Sequence, residues 1–237
     1  LDHVQSQDVV TFTGSASTGQ QLKGHPRIIS EAVPFNLEAD SLNCSILGED
    51  AKPGTEEFDL FIKEVRKEMT LKCGQRCTGI RRAIVPAHLL EDVQIALRKA
   101  LAQTTIGDPQ VEGVRMGALA GKTQVAEVRS QVEKLLKETN MVYGNLNEVT
   151  LIGANAEHGA FLSPMLLVNE RPLSSTLVHE VEAFGPVCTL MPYANLDEAV
   201  EKGWYNVQST CRPDVSFRAM LDIISKWKKY IDNLSQS

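Results

Sequence analysis

The stretch Met69-Thr-Leu-Lys-Cys-Gly-Gln-Arg-Cys77-Thr-Gly-Ile-Arg-Arg-Ala-Ile-Val85 constrains this chain more than any other. It places a cysteine just after a Gly-Gln turn and just before an apolar β-branched run. Ahead of it, Phe58, Phe61, Ile62, Val65 and Met69 recur at steps of three and four, which predicts a helix. Cys77 is therefore expected where a helix gives way to a strand, a crevice position rather than a core position. A thiol becomes a useful nucleophile where cations or backbone N–H groups favour the thiolate, and Arg76, Arg81 and Arg82 stand close by in sequence. The competing reading is a buried free cysteine that fills the core as a small hydrophobe.

Composition narrows the class. A chain of 237 residues has room for one or two domains and a sizeable core. With 43% apolar residues and a net charge of −6, it shows no basic excess that would point to a nucleic-acid partner. No apolar run approaches the roughly 20 residues needed to span a bilayer, and no charged segment followed by an apolar signal core opens the chain. The five cysteines, Cys44, Cys73, Cys77, Cys188 and Cys211, are odd in number and scattered, which suits reduced thiols in a cytoplasm. Cys73 and Cys77 lack a partnering His or Cys pair, so no metal site is expected.

Taken in order, residues 8–13 read as a strand, and Gly14-Ser15-Ala-Ser-Thr-Gly19 opens a short helix that ends near Gly24-His-Pro26. A Gly-rich turn between strand and helix lets backbone N–H groups and a serine hydroxyl approach phosphate oxygens, although a plain β-to-α turn needs the same glycine. Residues 27–30 and 32–37 read as two short strands leading into Glu38-Ala-Asp40-Ser41. These two acids are candidates for chemistry, for capping, or for plain solvation. Pro86 starts a helix running to about Thr105, and a second amphipathic helix spans about 121–140; both read as scaffolding. Leu177-Val-His179-Glu-Val181 leads into Glu182-Ala-Phe184-Gly185-Pro186-Val187, after which residues 188–192 form a strand. Residues 216–234 close the chain as an amphipathic helix, apolar at Met220, Ile223, Ile224, Trp227, Tyr230 and Ile231.

In their order and rough spacing, Phe12-Thr-Gly14-Ser15, Leu37-Glu38, Gly74-Gln-Arg-Cys77 and Glu182-Ala-Phe184-Gly-Pro resemble the aldehyde dehydrogenase superfamily over about residues 8–200. That family carries an F-T-G-S turn, a catalytic glutamate, a G-Q-x-C nucleophile and an E-x-F-G-P cofactor motif. The resemblance implies an α/β fold: an aldehyde dehydrogenase-like catalytic domain with a mostly parallel sheet flanked by helices, plus a remnant of the dinucleotide-binding domain. It implies domain limits at 1–37 for that remnant, 38–203 for the catalytic domain and 204–237 for a divergent helical tail. It implies Cys77 as nucleophile and Glu38 as general base, Gly14 and Ser15 against the dinucleotide pyrophosphate, Glu182 on the ribose beside nicotinamide, and Phe184 near the ring. The family has glycines after its glutamate, whereas this chain has Ala39 and Asp40. The phrases Asn36-Leu-Glu-Ala-Asp-Ser-Leu-Asn43 and Gly74-Gln-Arg-Cys-Thr-Gly-Ile-Arg-Arg82 are similar to the CoA-linked semialdehyde dehydrogenases of phenylacetate and benzoate catabolism, including the dehydrogenase half of the bifunctional oxepin-CoA hydrolase.

The implied activity is NADP- or NAD-dependent oxidation of an aldehyde, CoA-linked by the branch resemblance, through a cysteine thiohemiacetal and thioester. NADP is slightly preferred on the branch. The family also implies a cytoplasmic homo-oligomer without membrane or nucleic-acid partners. Family members carry a large amino-terminal half with most of the dinucleotide fold, and none of it precedes Leu1. The alternative expectation is therefore a truncated, catalytically incompetent remnant that acts as a structural or association module.

Overall fold

The structure, a computed structural model, describes residues 1–210, so the closing amphipathic helix expected at 216–234 lies outside the described residues. The chain divides into two compact units, Leu1–Ser41 and Leu42–Ser237.

The first unit is a small parallel β-α-β arrangement. Strand β1 (Val10–Gly14) pairs with β2 (Phe35–Ala39) so that Thr13 lies opposite Glu38 and Gly14 opposite Ala39. Between them run helices α1 (Ala16–Lys23) and α2 (Pro26–Ser30). Helix α1 packs closely on β2 at Gly19, where an added Cβ would come within 2.2 Å of Leu37 Cδ1. The β-branched segment 27–30, expected as a strand, is helical instead. Pro26 occupies the first helical turn with its φ already suited to it, and the His25 ring accepts a hydrogen bond from Arg27 N at 3.2 Å. A start signal built from proline and an N-cap side chain thus outweighs the weak strand preference of two isoleucines.

The second unit is a five-stranded sheet in the order β3-β4-β7-β6-β5, formed by β3 (Cys44–Ile46), β4 (Arg82–Pro86), β5 (Asn140–Tyr143), β6 (Met165–Val168) and β7 (Val187–Tyr193). All pairings are parallel except that of β5 with β6. Parallel strands need crossovers, and helices α3 (Glu56–Thr70), α4 (Leu90–Ala102), α5 (Lys122–Leu135), α6 (Leu177–Glu180) and α7 (Leu196–Thr210) lie in those connections and after the last strand.

Side chains of the central strands alternate between two cores. Ala83, Val85, Leu166, Val168, Cys188 and Leu190 pack with Phe58, Val65, Val93 and Leu97 of α3 and α4. Ile84, Met165, Leu167, Val187 and Met191 pack with Val125, Val128 and Val132 of α5. Burial on both faces is why these strands read as continuous apolar runs rather than as alternating patterns. One buried polar cluster interrupts the apolar packing. Arg82 donates to Leu42 O at 3.0 Å, to His179 Nδ1 at 2.9 Å and to Lys202 O at 3.0 Å. His179 Nε2 donates to Pro172 O at 2.8 Å, which fixes a neutral ring, and burial pushes its pKa down.

Leu97 is fully buried between α4 and the sheet, while Ile95 on the same helix is 57% exposed. Leu97→Ala is expected to lower unfolding free energy by about 2–5 kcal/mol. Ile95→Ala should stay within about 0.5 kcal/mol of the parent. Urea denaturation of the two variants measures the contrast, and equal losses would contradict the placement of this helix.

Candidate active site

Helix α3 delivers the turn that carries Cys77. Its start is set by Thr55, whose hydroxyl accepts from Phe58 N at 3.3 Å, and its buried stripe is Phe58, Phe61, Ile62, Val65 and Met69. It ends in a tight turn over Leu71–Gly74 with three successive residues in the left-handed region: Lys72 (φ 52°), Cys73 (φ 55°) and Gly74 (φ 67°). Each of the two non-glycine residues costs about 1–2 kcal/mol there, so the surroundings must hold the turn.

They hold it at every step. The Cys73 thiol lies 3.1 Å from both Gly117 O and Ala118 O. Gly74 admits no side chain, because a Cβ would sit 2.2 Å from Gly185 O. Gln75 Oε1 accepts from Ala120 N at 2.8 Å. Arg76 Nη1 donates to Glu68 Oε1 at 2.8 Å. The Asn43 amide donates to Cys77 O at 2.7 Å, while Asn43 O accepts from Arg81 N at 3.0 Å and from Arg82 N at 3.2 Å. Cys77 itself is exposed on this pinned turn, ahead of β4, which begins at Arg82.

The other described cysteines are placed differently. Burial pushes the Cys73 thiol up to about 11 and the Cys188 thiol up to about 12. Burial also raises Cys44, with the Arg82 charge opposing the shift. Among the described residues no group of His, Cys, Asp and Glu could hold a metal ion.

The loop between α6 and β7 carries Glu182, Phe184 and Gly185. Strands β4 and β7 are parallel neighbours, with Arg82 opposite Thr189, so the segments entering their amino ends meet. Arg81 ties them together. Its Nε lies 3.3 Å from Glu182 Oε1, Nη1 donates to Gly185 O at 2.8 Å, and Nη2 donates to Gly74 O at 2.8 Å and to Arg76 O at 3.2 Å. Its Cζ lies 5.2 Å from the Phe184 ring centroid, in the range of a cation–π contact. The Arg81 and Glu182 side chains are only 4% and 10% exposed, whereas Phe184 is 39% exposed. The three arginines expected beside the thiol therefore have structural partners: Arg76 is tied to Glu68, Arg81 to the Glu182 loop and Arg82 to the buried cluster.

In the first unit, Gly14, Ser15 and Glu38 fall at the carboxyl ends of β1 and β2. Ser15 is the N-cap of α1; its hydroxyl accepts from Thr18 N at 3.3 Å. Glu38 is exposed on the face of β2 opposite to Leu37. Asp40, standing where a glycine was noted as usual, takes the left-handed conformation at φ 51°, and its carboxylate accepts from Ala16 N at 3.1 Å. Aspartate tolerates that backbone better than most residues, and a negative charge at a helix N-terminus is favourable. The structure thus gathers Cys77, Glu182 and Phe184 in the second unit, and Gly14, Ser15 and Glu38 in the first. Sequence reasoning missed Asn43 and the linking role of Arg81, whose partners lie 34 and 101 residues away.

Comparison with known proteins supplies the family. A 3,4-dehydroadipyl-CoA semialdehyde dehydrogenase from Aromatoleum evansii is 45% identical over 200 residues, which are 84% of this chain and 39% of that protein. The NAD+ complex of an aldehyde dehydrogenase from Bacillus cereus superposes with a TM-score of 0.69 at 25% identity, covering 83% of this chain and 37% of the other. A betaine aldehyde dehydrogenase from Staphylococcus aureus, also in complex with NAD+, gives a TM-score of 0.71 at 21% identity over the same share of each and supports the fold alone. The chain thus spans less than two fifths of the length of each of these proteins. The profile of the aldehyde dehydrogenase family matches residues 2–206, and the chain belongs to that family.

Proposed function

We propose that this chain serves NADP- or NAD-dependent oxidation of an aldehyde to the carboxylic acid, with Cys77 as the nucleophile and Glu38 as the general base. The observation that carries the reading is an exposed thiol on a turn held from several sides, in a family whose reaction is named for aldehydes. A CoA-linked semialdehyde is the substrate class this reading favours; the name of the relative that is 45% identical supports it.

The Cys77 thiolate adds to the aldehyde carbonyl and gives a thiohemiacetal. Its developing oxyanion is received by the backbone N–H of Cys77, an assignment favoured by the rigidity of the turn. Loss of hydride from that carbon leaves a thioester on Cys77. Glu38 then takes a proton from water as the water attacks the thioester carbon, and the thiolate departs with the acid released. NADP or NAD, when bound, supplies the hydride acceptor.

The residues present suit the dinucleotide. The Asp40 oxygen on Ala16 N stands in for a phosphate oxygen at the α1 N-terminus, and it would have to turn aside for a pyrophosphate held by Gly14 and Ser15. Glu182 would receive ribose hydroxyls, and Phe184, the more exposed of the two, would lie near the nicotinamide.

Two measurements test the reading. In brief iodoacetamide treatment at neutral pH followed by peptide mapping, Cys77 should be modified well before Cys73 and Cys188, whose raised pKa values and burial leave little thiolate. Uniform labelling of the four described cysteines would contradict the exposure of the turn. In the aldehyde-dependent reduction of the dinucleotide, Cys77→Ser should abolish turnover. Glu38→Gln should lower it on the order of 100-fold or more, while an acyl adduct accumulates on Cys77 in the intact-mass spectrum. Undiminished turnover in Cys77→Ser would overturn the assignment.

A further inference from the structure

The Arg81 side chain directs its hydrogen bonds to two segments. Nη2 holds the carbonyls of residues 74 and 76, which frame the turn leading to Cys77. Nε and Nη1 hold the carboxylate of residue 182 and the carbonyl of residue 185, which frame the loop bearing Phe184. The guanidinium thus bridges two loops separated by about a hundred residues of chain, with its side chain 4% exposed. The loops also touch directly, since no Cβ fits between Gly74 and Gly185 O. A lysine cannot replace this fan, because one ammonium cannot span four acceptors set around a plane.

We propose that Arg81 is a positioning residue that makes the Cys77 turn and the Glu182–Phe184 loop move as one body, so that whatever engages Glu182 alters the reactivity of the Cys77 thiol. The inference rests on the reading of Cys77 and Glu182 given above. Its basis is that both loops share one rigid, buried, multiply bonded cation. A contact that changes the Glu182 carboxylate changes the balance of the Arg81 bonds, including those to Gly74 and Arg76. Such coupling is reciprocal: an adduct on Cys77 changes in equal measure the free energy of engaging Glu182. An arginine that only supports the fold has no such property, since its removal would loosen the unit without linking these two segments to each other.

The test is a double-mutant cycle read on Cys77 without turnover. The alkylation rate of Cys77 across pH is measured by peptide mapping in the parent chain, Glu182→Gln, Arg81→Lys and the double variant. Glu182→Gln should change the rate on the order of fivefold in the parent and leave it nearly unchanged in the Arg81→Lys background, the non-additivity of residues in contact. Equal effects in both backgrounds, or none in the parent, would overturn the proposal. Should Arg81→Lys fail to fold, hydrogen exchange of Glu182→Gln alone decides. Exchange rising together at residues 74–79 and 183–186, with helix α5 unaffected, supports it. A parental rate at 74–79, or a rise spread through α5 as well, refutes it. Loss of turnover in Cys77→Ser combined with additive labelling would defeat this inference alone, whereas retained turnover in Cys77→Ser would defeat the functional reading beneath it.

Discussion

The parallel pairing of β4 with β7 is the constraint on which the second unit depends. Both strands are buried on both faces, so neither can slip in register without exchanging one core for the other. With the register fixed, Thr189 N donates to Arg81 O at 2.9 Å, and the two segments that enter the strands are brought side by side. Two features of the Cys77 turn follow from that proximity. Gly74 must lack a side chain because Gly185 O occupies the space, and Arg81 must be long, planar and many-handed because it joins both loops at once. Its burial lowers its own pKa, and the Glu182 carboxylate works against that shift. Breaking the ion pair by removing one partner would leave the other charged and buried, a far larger penalty than a surface pair carries.

The two units place their candidate residues at opposite ends of their strands. In the first, Gly14, Ser15 and Glu38 lie at carboxyl ends, where a helix N-terminus offers N–H donors and a partial positive charge. In the second, Cys77 and Glu182 lie ahead of the amino ends of β4 and β7. The nucleophile turn is shaped there by individual side chains: Asn43 on one flank, Gln75 and Cys73 on another, and Arg81. The buried Cys73 thiol, with its pKa raised, serves this shaping as a hydrogen-bonding hydrophobe rather than as a second nucleophile.

Much of this was legible in the sequence wherever the physics is local. The spacing of Phe58 to Met69 gave α3, and the apolar face from Leu89 to Leu101 gave α4. The motifs around Gly14, Glu38, Cys77 and Glu182 led to the family that the profile match shows. Helix α2 was misread because Ile28 and Ile29 suggest a strand, while the decisive signal was the His25 cap and Pro26 at the helix start. The arginines near Cys77 were read as neighbours of the thiol because sequence proximity says nothing of where a long side chain ends. Arg81 and Arg82 adjoin each other in sequence, yet one reaches the Glu182 loop and the other the His179 cluster. Hydrogen bonds across a hundred residues leave no periodicity to read.

The left-handed positions around the candidate site show which glycines this chain requires. Asp40, Lys72 and Cys73 all adopt positive φ, and none is glycine. Each of the three makes up part of a cost of about 1–2 kcal/mol in a different way. The Asp40 carboxylate meets Ala16 N, the Cys73 thiol meets two carbonyls, and Lys72 shares a turn anchored on both sides. Gly74 has a comparable φ of 67°, but its Cβ would fall 2.2 Å from a backbone carbonyl that cannot move without β7. Torsional strain is a few kcal/mol at most and can be offset by a side chain's own bonds, whereas backbone overlap admits no such compensation. That difference explains why position 74, where two backbones touch, requires glycine, whereas position 40 accepts an aspartate whose side chain meets a helix N-terminus.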